Sequence, residues 1–125
     1  MDFSFTEEQE LLAENLVEFM DREYPESLIK ECDEQKIFPV EANKKFYEAG
    51  FGAIGVPEEL GGVPADMVTM CLVTSIVYRY SWAGCTYSPL SIMNAADKAS
   101  PEIRTEMLEG LMSGEKRHSF GNTEP

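Results

Sequence analysis

Successive stretches of apolar residues recur at helical spacing, each bracketed by a capping residue, a proline or a glycine, and only an assembly of amphipathic helices satisfies that pattern. Thr6-Glu7-Glu8-Gln9 has the spacing of a capping box, in which the threonine hydroxyl accepts from an orphan amide three residues on and the glutamine reaches back. A helix is expected to start there and to bury Leu12, Leu16, Phe19 and Met20. It should weaken at Tyr24-Pro25, because proline lacks the amide and disfavours helical geometry in the residue before it. Ser27 to Glu34 reads as a short second helix or a kinked continuation of the first. Pro39 suits the first position of another helix, with Ala42, Phe46 and Ala49 as its buried stripe and Gly50 as its left-handed stop.

Between Gly50 and Gly62 the sequence turns to glycine, proline and small apolar residues, which predicts an ordered loop. From about Pro64 to Tyr80 apolar residues including Met67, Met70, Cys71, Val73 and Val77 occupy most of the circumference, so this helix is expected inside the bundle. A further helix is expected from Gly84 or Ser88 to Lys98. Ser100-Pro101-Glu102 then combines an N-cap, a proline at the first position and an acidic first turn, followed by Ile103, Met107, Leu108 and Leu111 at helical spacing, with Gly114 as the stop. From Arg117 to Thr123 the helical period is lost, as at the start of a strand. The expected fold is therefore all-α, an up-and-down bundle of about five to six helices over residues 1–116, with residues 117–125 as the first strand of a further β domain.

The 125 residues suffice for one core without disulfides or metal. Cys32, Cys71 and Cys85 are odd in number and form no CxxC pair, which argues against a disulfide framework or structural zinc and fits a reducing, cytoplasmic setting. No basic and apolar leader precedes the first helix, and no apolar run is long enough to cross a bilayer, so membrane insertion is not expected. The formal net charge of −13 would repel a phosphate backbone, so nucleic acid is not an expected partner. The carboxylates read as solvation of outer helix faces.

Gly50-Phe51-Gly52-Ala53-Ile54-Gly55 matches the dinucleotide fingerprint GxGxxG by letter but not by context. That fingerprint needs a strand before the glycines and a helix after them, whereas here they follow a helix and precede Val56-Pro57. A structural role in the cap and loop is expected. His118, the one histidine, has no serine or cysteine and acid at triad spacing and is expected to face solvent or a further domain. Met67, Met70, Met93, Met107 and Met112 read as core fillers. Glu58-Glu59 and Glu7-Glu8 pair only in sequence, with nothing to desolvate them for acid/base work.

Four stretches together resemble the N-terminal helical domain of the acyl-CoA dehydrogenases: Phe5-Thr6-Glu7-Glu8-Gln9; Ala49-Gly50-Phe51 leading into Val56-Pro57-Glu58-Glu59-Leu60-Gly61-Gly62; Met112-Ser113-Gly114-Glu115-Lys116; and Thr123-Glu124-Pro125. They span essentially the whole chain in that order, and the carnitine-type branch acting on crotonobetainyl-CoA looks most similar. The resemblance implies a parent flavoenzyme that takes a proton from the carbon alpha to a thioester while a beta hydride passes to FAD. It further implies a middle β domain, a C-terminal helical bundle, a tetrameric assembly and electron-transfer flavoprotein as redox partner. Carried over by position, Phe120, Asn122 and Thr123 would lie along the flavin, with Thr123 hydrogen-bonding its ring. Gly121 and Asn122 depart from the small and aliphatic residues usual there.

The family's catalytic base is a glutamate of the C-terminal domain, so no residue of this chain is assigned a catalytic role. The chain alone is expected neither to hold FAD tightly nor to oxidise acyl-CoA. In the family the helical domain supplies one wall of the acyl pocket. Trp82, Thr86 and Leu90, four apart and on one face if their segment is helical, are the candidates with Tyr87 nearby, ordinary packing being the alternative. A stand-alone helical interaction module and an acyl-CoA oxidase domain are the competing functions. Apolar side chains shaped to meet a further domain are expected to be exposed and to favour self-association.

Overall fold

A computed structural model describes residues 3–80 and 86–118, and these form six α-helices with two short 3₁₀ turns. The helices are α1 (Glu7–Glu23), α2 (Glu26–Gln35), α3 (Val40–Glu48), α4 (Met67–Tyr80), α5 (Pro89–Lys98) and α6 (Pro101–Met112). Among the described residues there is no strand, only an isolated parallel bridge between Ile54 and Val63. The fold is all-α. The strand expected from Arg117 to Thr123 falls largely on residues 119–125, outside the described residues.

The local signals place the helix ends. Thr6 Oγ1 accepts from the Gln9 amide at 3.2 Å and Gln9 Oε1 accepts from the Thr6 amide at 3.0 Å, so both halves of the capping box are made. α1 ends at Tyr24, just ahead of Pro25. α2 is a helix in its own right, with Cys32 buried and Leu28 and Ile29 half-buried against the core. Pro39 precedes α3 as its N-cap and does not open it, because its ψ of 75° lies outside the helical range. The α3 stripe also differs by a residue from expectation: Ala42, Asn43, Phe46 and Tyr47 are buried, whereas Ala49 is exposed. Gly50 stops the helix in the left-handed region at φ 87°.

The core is an aromatic cluster wrapped by aliphatics. Phe46 is fully buried and sits between Phe19, Tyr47, Phe51 and Tyr87, with ring centroids 5.8–6.3 Å apart and mostly tilted or edge-on geometry. Leu16, Met20, Val56, Val73, Val77 and Ile92 close around it. α1 packs along α4, and the two run parallel. Gln9 donates to Thr69 near their N-terminal ends at 3.0 Å, and Tyr80 donates to Asp21 near their C-terminal ends at 2.6 Å. That second bond is the main cause of the raised Tyr80 pKa, with burial adding to it.

α4 is not interior, contrary to its apolar circumference. Val73, Ile76 and Val77 face the core, while Met67, Val68, Cys71 and Tyr78 are exposed, the first two by 64% and 54%. A helix apolar all round is buried only if neighbours cover it on every side, and α1 lies along one stripe. Met67 is thus no core filler, whereas Met70, Met93, Met107 and Met112 are half-buried. In α6, Leu111 is buried and Ile103 is exposed.

Residues 50–63 form a closed, ordered loop. The Gly55 amide donates to the Val63 carbonyl at 2.8 Å and the Val63 amide to the Ala53 carbonyl at 3.0 Å, so the loop returns to its own start. Gly61, at φ 81°, makes the turn that brings Gly62 over Val56, where a side chain on Gly62 would collide with the Val56 backbone.

Candidate functional site

α5 starts at Pro89, so residues 86–88 form an extended approach to the helix and not its first turn. Thr86 therefore does not share a helical face with Leu90, and Trp82 lies outside the described residues. What holds the approach is a set of polar side chains from elsewhere in the fold. Asn43 of α3, with no exposed surface, accepts at Oδ1 from the Thr86 amide at 3.1 Å and from the Thr86 hydroxyl at 3.0 Å. Its Nδ2 donates to the Gly114 carbonyl at 3.1 Å. One turn along the same helix, the Tyr47 hydroxyl donates to the Thr86 carbonyl at 2.6 Å.

Tyr87 continues the pattern. Its ring is buried against Phe46, its hydroxyl donates to the Ile54 carbonyl at 3.0 Å, and its own carbonyl accepts from Tyr78 at 3.3 Å. Burial pushes the Tyr87 phenol up to about 12, with Tyr47 and Cys71 adding to the shift, so it is a neutral donor across the physiological range. Leu90, one residue into α5, is exposed by 59%. Of the candidate wall residues described, Tyr87 is built into the core, Thr86 is half-buried and bonded, and Leu90 offers apolar surface.

The end of the described chain lies against the same region. After α6, Gly114 takes φ 73° and the chain turns back along α3, with Lys44 and Glu115 3.7 Å apart and the Arg117 guanidinium 3.9 Å from the centre of the Phe38 ring. His118 then meets α5: its Nε2 lies 2.9 Å from the Ser91 hydroxyl, which is 2.7 Å from that of Ser88. His118 is exposed, as expected, and it is anchored to the helix that begins beside the candidate wall. Phe120, Asn122 and Thr123, the candidate flavin contacts, follow in the sequence and lie outside the described residues.

The glycine-rich stretch cannot serve as a phosphate cradle. The Gly50 amide donates to the Tyr47 carbonyl, that of Ala53 to Gly50, that of Ile54 to Phe51 and that of Gly55 to Val63, leaving those donors committed to the chain itself. Gly52 packs on the Tyr47 ring, where a side chain would collide. Those four amides are therefore not free to meet the pyrophosphate of a dinucleotide. The region holds a buried, hydrogen-bonded polar seam, with the apolar side chain of Leu90 exposed at the start of α5. Asn43 was legible in principle as an amide on a stripe of otherwise apolar buried residues, but its partners, 43 and 71 residues away, carry no local signal.

The family model for the acyl-CoA dehydrogenase N-terminal domain matches residues 6–115. The full chain is 44% identical to the probable acyl-CoA dehydrogenase YdiO of Escherichia coli K12, covering 33% of that protein. It is 33% identical to the acryloyl-CoA reductase (NADH) of Anaerotignum propionicum, covering 32% of it, and 30% identical to the short-chain specific acyl-CoA dehydrogenase of Clostridium acetobutylicum, covering 34%. No solved structure matches the chain significantly. The chain thus spans about a third of the length of these relatives. A domain model matched almost from end to end, on an all-helical fold, shows that the chain belongs to the acyl-CoA dehydrogenase family as its N-terminal domain.

Proposed function

We propose that this chain is the helical domain of an FAD-dependent enzyme that introduces or reduces the alpha,beta double bond of an acyl-CoA thioester, and that it supplies one wall of the acyl pocket and a surface for the following domains. The observation that carries the reading is the family match over residues 6–115. The wall would be drawn from Trp82, Thr86, Tyr87 and Leu90. Leu90 is its exposed apolar member, while Thr86 and Tyr87 serve from behind by fixing the backbone that presents it. Bound FAD would supply the hydride acceptor. Phe120, Asn122 and Thr123 would lie along it, at the head of a β domain that takes over from the helical domain near residue 117.

Dehydrogenation is the direction in the names of two of the three relatives, and reduction is that of the third; for the dehydrogenation direction electron-transfer flavoprotein would be the acceptor. A cytoplasmic, homotetrameric parent fits the family. Among the described residues no helix is long and apolar enough to cross a membrane.

The test is to express this chain with the reading frame that follows it and to add butyryl-CoA to the purified protein. A yellow protein whose flavin absorbance bleaches on addition is expected, with residues 1–125 alone showing neither colour nor bleaching. A native stop codon after residue 125, or a colourless full-length product, would overturn the reading.

A further inference from the structure

We draw no further inference here: the strongest candidate, the shallow apolar depression on the outer face of α4 between Phe5, Met67, Val68 and Cys71, carries none because nothing in the structure shows what covers it.

Discussion

The seam around Asn43 and the outer face of α4 lie at opposite extremes of the same small domain. In the seam, polar groups that would ordinarily seek water are buried, and Asn43, Tyr47, Thr86 and Tyr87 satisfy one another and the backbone at 2.6–3.1 Å. On α4, apolar groups that would ordinarily avoid water are exposed, with Phe5, Met67, Val68, Cys71 and Leu72 lining a shallow apolar depression. The difference teaches that residue type alone does not decide depth here. The buried amide stays because its oxygen and its nitrogen both find partners, and the exposed methionine is out because no described neighbour covers that face of its helix.

The largest expected effect comes from breaking the seam. Asn43→Leu keeps the volume but leaves the Thr86 amide and the Gly114 carbonyl without their bonds, and should cost roughly 1–3 kcal/mol in urea unfolding. A loss below the scatter of surface substitutions would mean that the seam is no more demanding than the α4 face. Gly114→Ala is next, at about 1–2 kcal/mol, because the residue takes φ 73° and its new Cβ would stand 2.9 Å from the Tyr47 ring.

A surface ion pair should matter less and should depend on pH. Glu23 accepts from Lys45 at 2.7 Å and from Arg22 at 2.9 Å, and these two bonds, that to Lys45 the stronger, hold its carboxyl below the ordinary value of 4.5. A lowered folded pKa stabilises the fold above the unfolded value and ceases to do so as pH falls through the folded one. Glu23→Gln should therefore cost up to about 1 kcal/mol at neutral pH and nothing measurable near pH 2, by urea unfolding at the two pH values. Smallest of all, Val68→Lys on the α4 face should change stability by less than about 0.5 kcal/mol, since the side chain is already exposed. A larger loss in this chain would show that the face is covered after all.

What the sequence revealed follows the range of each signal. Caps and stops act within three or four residues, so Thr6 with Gln9, Tyr24 before Pro25, and Gly50 after α3 could be placed without knowledge of the rest. Pro39 was ambiguous even locally, because a proline suits both the position before a helix and the first position within it. The placement of α4 needed to know what packs on it, and apolar periodicity is silent on that. The site was least legible. The spacing of Trp82, Thr86 and Leu90 assumed a helix that starts only at Pro89, and the side chain that organises Thr86 sits 43 residues earlier on α3.

The Tyr47 ring lies between two turns that are remote in sequence, with Gly52 against one side and Gly114 close on the other, while its hydroxyl meets the Thr86 carbonyl. One phenol thus acts as a spacer gauge for three separate crossings of the chain. A change that thickens one crossing is therefore expected to press on the others through that ring, and an engineer who wished to reshape the approach to α5 would begin by resizing it.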